Sequence, residues 1–169
     1  MKILDSAPSP GSAPGFRSIS RDDCARLSGP AVRTFRAIAD EWGLSEKERI
    51  AVLGMPARST YHQWMRKAEE RAPLALPLDT LMRISGVLGI YKALAILFHE
   101  PAQAARWLKG AHRGTVFAGA SPMSFVVEGG QDGIMTVRRY LDGWRGGSMG
   151  HGAAEGSFAP VGEGDLVIL

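Results

Sequence analysis

The segment RSTYHQWMRK, Arg58 to Lys67, carries three cations and no carboxylate. Arg and Lys neutralise phosphate, Arg forks onto guanine, and Gln pairs with adenine. Tyr61 and Trp64 lie three apart and can anchor a helix in a core. Arg58, Ser59, Thr60, His62, Gln63, Arg66 and Lys67 then fall mainly off the anchoring face and are the candidate DNA-contacting residues. Arg58 suits guanine, Gln63 suits adenine, and Ser59 or Thr60 suits phosphate. The competing reading is a plain solvated helix face. A second segment, RRYLDGWRGG, Arg138 to Gly147, combines Arg, Tyr and Trp, the residue types that most often carry binding energy at protein interfaces. Arg138, Arg139, Tyr140, Asp142, Trp144 and Arg145 are the candidate protein-binding residues, and a guanidinium matches a carboxylate in a partner's cleft. Core packing is the competing reading for Tyr140 and Trp144, and it is the one adopted for Leu141.

Nothing points to catalysis. His62, His99, His112 and His151 are scattered, and no HExxH, GxSxG or P-loop pattern occurs. The run GHGAAEG, 150–156, follows no predicted strand, so a dinucleotide loop is not expected there. The expectation is no catalytic residue, no metal and no cofactor. The single cysteine, Cys24, excludes an internal disulfide and CxxC zinc sites, and fits a reducing cytosol. The N-terminus lacks the apolar stretch of a signal peptide. The longest apolar run, Gly89 to Phe98, is interrupted by Lys92 and is shorter than the roughly 20 residues a bilayer requires. A soluble, cytoplasmic chain with no membrane contact is expected. A formal charge of +3 permits nucleic-acid binding without demanding it.

The candidate residues need helices to position them. A first helix is predicted from Pro30 to Trp42, with Pro at the first helical position and Val32, Phe35, Ile38, Ala39 and Trp42 on one face. Gly43 stops it. Ser45 and Glu48 spell a capping box opening a second helix that Gly54 ends, and a third runs from Ala57 to Glu69. Helix, Gly-containing turn, helix over some 25 residues is the pattern of a DNA-reading unit. A fourth helix is predicted from Leu78 to Leu88, broken by Gly89, followed by a fully buried central helix over 90–98. Pro101 opens a helix to Leu108, and Ser121-Pro122 caps a short one through Val127. Gly129, Gly130 and Gly133 make a turn into a last helix, 131–144, with Ile134, Val137, Leu141 and Trp144 on its apolar stripe. Arg138, Arg139 and Asp142 take the opposite side, and Arg138 can pair with Asp142.

With these words in place the sequence resembles the Xre/MbcA/ParS family of bacterial antitoxins. The resemblance rests on LGMPARSTYHQWMRK, RISGVLGIYKALAILF and PAQAARWLKGAHRGTVFAGASPMSFVVEGGQDGIMTVRRYLDGWRGG, and covers about Arg33 to Gly147. It implies an all-α fold with an Xre-like helix-turn-helix N-terminal part packed against a helical toxin-binding C-terminal domain. It implies direct neutralisation of a RES-domain toxin that consumes NAD or transfers ADP-ribose, homodimers, and repression of the pair's own promoter through operator DNA. The corresponding division is a flexible tail over 1–28, a helix-turn-helix domain over 29–72, a toxin-binding domain over 73–147 and a Gly-rich tail over 148–169. The terminal Asp165 to Leu169 is apolar and β-prone, and disorder, packing back on the chain and toxin binding are all open to it. The alternative function is a stand-alone Xre-type transcription regulator whose C-terminal domain dimerises or senses a ligand.

Overall fold

A computed structural model describes residues 20–146. Among these the chain is wholly helical: α1 (Arg21–Glu41), α2 (Glu46–Val52), α3 (Arg58–Glu69), α4 (Leu78–Leu97), α5 (Pro101–Lys109), α6 (Pro122–Glu128) and α7 (Gly130–Arg145). The all-α expectation holds. The expectations placed on 1–19 and 147–169, including the terminal Asp165 to Leu169, lie outside the described residues.

The first helix starts nine residues earlier than Pro30 suggests. The Ser20 hydroxyl accepts from the Asp23 N–H (3.1 Å) and the Asp23 carboxylate accepts from the Ser20 N–H (3.2 Å). This reciprocal cap satisfies free N–H groups of the first turn and places residues 21–28 in the helix rather than in a tail. Pro30 therefore sits inside α1. Two residues before it, Ser28 is fully buried; its hydroxyl donates to the Cys24 carbonyl (2.6 Å) and accepts from the Leu76 N–H (2.8 Å). The bond pins the 73–77 loop to α1.

Val32, Phe35, Ile38 and Ala39 face inward as the spacing predicts, and Gly43 ends the turn at φ +67°. The Ser45–Glu48 cap opens α2, with the Glu48 carboxylate 2.7 Å from the Ser45 N–H. Gly54 (φ +93°) and Met55 (φ +59°) form the sharp turn into α3. Tyr61, Trp64 and Ala68 bury α3 against α1, and Arg33 of α1 donates to the Ala68 carbonyl near the end of α3 (3.1 Å).

The largest departure is α4. The predicted break at Gly89 is absent, and Leu78–Leu97 is one continuous helix. Its glycines are packing sites. A Cβ on Gly86 would lie 2.5 Å from Ile134 Cγ2, and one on Gly89 would lie 2.6 Å from Arg138 Nε. Both allow α7 to approach α4 closely, which outweighs the ordinary helix cost of glycine of about 1 kcal/mol. In consequence α4 is long and apolar enough by composition to cross a membrane. It packs instead against α1, α5 and α7, burying Ile84, Val87, Ile90, Ala93 and Leu94. The run over 90–98 is not buried all round, since Lys92 and Ala95 are exposed and Ile96 is 61% exposed. Tyr91 packs near Trp42 and its hydroxyl donates to the Glu41 carboxylate (2.9 Å).

The Ser121 cap and Pro122 open α6 as predicted. Gly133 belongs to α7 rather than to the turn before it. There a Cβ would run into the Phe125 carbonyl, so glycine lets α6 and α7 fold tightly on one another. Helix α2 packs against α6 and α7, and one buried cluster runs from Val32 to Leu141.

Candidate functional site

The two sets of candidate residues stand on different helices. In α3, Arg58, Ser59, His62, Gln63 and Arg66 are exposed, while Thr60 and Lys67 are half-buried. Ser59, Thr60, His62, Gln63 and Arg66 line one shallow open groove. Helical spacing explains the grouping: with Tyr61, Trp64 and Ala68 turned toward α1, positions 59, 62, 63 and 66 must face out.

One cation of α3 is held by an acid from another helix. Glu46, the first residue of α2, accepts from Arg58 Nε at 2.6 Å, and its second oxygen lies 3.4 Å from His62 Nε2. The hydrogen bond from Arg58 is the main reason the Glu46 carboxyl sits below its ordinary range. Glu69, the last residue of α3, faces Arg36 of α1 at 3.4 Å. Arg66 and Lys67 are not among the described ion pairs. The face is therefore net positive and open, with Arg58 already engaged. Sequence spacing flagged the cations of α3 but not the Glu46 contact, which arises only when α2 and α3 cross.

On α7 the arrangement differs. Ile134, Val137 and Leu141 are fully buried. Arg139 and Arg145 are exposed, and the other four candidates are half-buried. Arg138 pairs with Asp142 at 3.7 Å, as the i,i+4 spacing predicts. It does not stand opposite the core, however, because its guanidinium lies over Gly89 of α4. Asp142 also reaches Arg145 (3.5 Å), and Arg139 pairs with Asp132 (3.2 Å).

Tyr140 and Trp144 join an aromatic cluster centred on Trp107. Tyr140 stacks on Trp107 at 6.0 Å between ring centres and meets Phe117 edge-on at 4.9 Å. Trp144 lies 6.0 Å from Trp107 and edge-on to Phe98 at 5.8 Å. Burial among these rings raises the Tyr140 phenol above its ordinary range. Phe117 reaches the cluster from a loop closed by His112 N–H to Ala120 O (3.1 Å) and Gly119 N–H to His112 O (2.8 Å). Phe98, Trp107 and Phe117 are members that sequence spacing did not connect to the Tyr140 segment, because they come from the end of α4, from α5 and from a loop.

No group of three or more His, Cys, Asp or Glu residues suited to a metal occurs among the described residues. What the geometry offers is two charged surfaces on one body: a basic groove on α3, and a mixed arginine–aspartate row on α7 backed by aromatics.

Comparison with known proteins gives each surface a family. Residues 25–89 match the model of the antitoxin Xre-like helix-turn-helix domain. Residues 93–147 match that of the antitoxin Xre/MbcA/ParS C-terminal toxin-binding domain. Over 125 residues the chain is 40% identical to the uncharacterized protein y4oB of Sinorhizobium fredii (strain NBRC 101917 / NGR234), an alignment spanning 74% of this chain and 91% of that protein.

Proposed function

Because the chain belongs to the Xre/MbcA/ParS antitoxins, joining an Xre-like helix-turn-helix domain to a toxin-binding domain, we propose that it silences a RES-domain toxin. The C-terminal domain covers the active site of this NAD-consuming or ADP-ribosylating partner. The observation that carries the reading is that the toxin-binding match, 93–147, includes all of α7, with Arg139 and Arg145 exposed beside Tyr140 and Trp144. Occlusion requires an interface and no chemistry by this chain, which acts as a regulator and not as an enzyme. A standard interface buries about 1,600 Å² in total.

In the same proposal the chain acts in the cytosol as a homodimer, and α3 reads operator DNA to repress the operon. Support comes from the open groove of Ser59, Thr60, His62, Gln63 and Arg66 on the helix that would enter the major groove. Co-expression with the neighbouring reading frame tests the toxin half. Growth rescue and co-purification of the two products are the expected result. A neighbour that is not toxic, or that fails to co-purify, overturns it.

A further inference from the structure

The contact between α2 and α3 assigns a task to a residue outside the candidate set. Arg58 is the first residue of α3 and its side chain is 77% exposed. Glu46 touches it through Nε alone, at 2.6 Å. The two terminal nitrogens of the guanidinium make no described hydrogen bond, so the edge that forks onto guanine is left open. The other Glu46 oxygen faces His62, one turn along α3. One carboxylate thus spans Arg58 and His62 and keeps both on the outer face.

Two physical effects follow. An unrestrained arginine gives up rotamer entropy when it orders on a base, and a guanidinium already held loses less. The carboxylate also repels phosphate, and phosphate contact supplies essentially all sequence-independent affinity. Between Arg58 and Lys67 α3 contains no acid of its own, so Glu46 is the carboxylate brought onto this part of its exposed face in the described ion pairs.

We infer that Glu46 is a specificity-determining residue: it presets Arg58 for a base edge and penalises binding to DNA of arbitrary sequence. The inference rests on α3 being the DNA-contacting helix. It goes beyond that reading by giving an acidic residue of α2 a positive role in discrimination.

The test compares the intact chain with Glu46→Gln and Arg58→Lys. The probes are a duplex spanning the region upstream of this chain's own reading frame and a random-sequence duplex of equal length. Glu46→Gln is expected to tighten random-duplex binding roughly two- to fivefold, the scale of one exposed charge pair. Its salt dependence should steepen by slightly under one unit in log K against log salt. Upstream-duplex binding should not tighten, because losing the presetting of Arg58 offsets the lost repulsion, so the ratio of the two affinities falls roughly two- to fivefold. Arg58→Lys keeps the charge but loses both the Nε–H held by Glu46 and the fork. It should leave random binding within about twofold and lower the ratio about tenfold. An unchanged ratio in either variant, with Arg58→Ala still weakening the upstream duplex, overturns the inference and leaves α3 as the reading helix. Upstream binding indifferent to both Arg58→Ala and Arg66→Ala overturns that reading as well.

Discussion

Helices α3 and α7 each show arginines to solvent, yet they neutralise them in opposite ways. Between Gly130 and Arg145, α7 carries three arginines and two aspartates, and Asp132 and Asp142 pair with all three within the same helix. From Arg58 to Lys67, α3 has three cations and no acid, and its one described ion-paired cation is held by a carboxylate from α2. A surface of alternating sign suits a protein partner, whose charges also alternate. A net positive stretch with no acid of its own suits a polyanion. The contrast teaches that a count of arginines does not distinguish the two uses, whereas the source of the balancing carboxylates does.

The hardest way to break the comparison is to remove the body that carries both faces. Gly133→Ala drives a methyl into the Phe125 carbonyl where α6 meets α7. Overpacking against backbone should cost at least about 3 kcal/mol. Because one cluster joins Val32 to Leu141, thermal unfolding by circular dichroism should shift downward as a single transition. Two separate transitions would show that the faces sit on independent units.

The next largest effect separates the faces. Arg139→Glu with Arg145→Glu inverts the sign on α7 and should weaken the toxin complex by about 2 kcal/mol or more, some thirtyfold. Gel filtration of the co-expressed pair reads this out, and binding to DNA should stay the same. An intact complex would remove these arginines from the interface.

Arg58→Ala with Arg66→Ala is the reciprocal experiment. Affinity for the upstream duplex should fall by about 1–3 kcal/mol if Arg58 reads a base. The salt dependence should flatten by slightly under one unit for each phosphate that is no longer neutralised. Toxin binding should be unaffected, and a mobility-shift titration at several salt concentrations decides.

The smallest effect sharpens the role of α2, which brings Glu46 to α3. Ser45→Ala removes the cap of α2 and should cost about 1 kcal/mol. Hydrogen bonds from the Ser45 hydroxyl and N–H hold the Glu48 carboxyl below its ordinary value of 4.5. A depressed carboxyl contributes stability above its unfolded pKa and loses it as pH falls through the lowered folded value. The gap in melting temperature between wild type and Ser45→Ala should therefore narrow as the solution is acidified below about pH 4. A gap that stays constant would show that Glu48 takes no part in the cap.

Sequence spacing exposed most of this architecture where local rules govern. The Ser45–Glu48 cap, the Gly43 stop, the Ser121-Pro122 start and the inward face of α3 are all readable from neighbours in sequence. It misled at two helix bounds, once where a local cap upstream sets the start and once where a distant element decides. Pro30 looked like a helix start because proline suits the first turn, but the Ser20–Asp23 cap lies upstream and Pro30 falls inside α1. Gly89 looked like a break because glycine weakens helices, but Arg138, 49 positions later, occupies the space a side chain would need. The charged residues of both faces were legible by type. Their partners were legible only within one helix, as with Arg138 and Asp142, and not across helices, as with Arg58 and Glu46.

The two matched regions end and begin at residues 89 and 93, in the middle of α4, and that helix continues through the junction without interruption. Such a rod supplies no pivot between the DNA-reading and toxin-binding ends. If the proposed toxin capture alters DNA binding, the change has to enter through something other than a bend at this junction, and the 70–77 connection between α3 and α4 is the segment of the described chain that lies between the two.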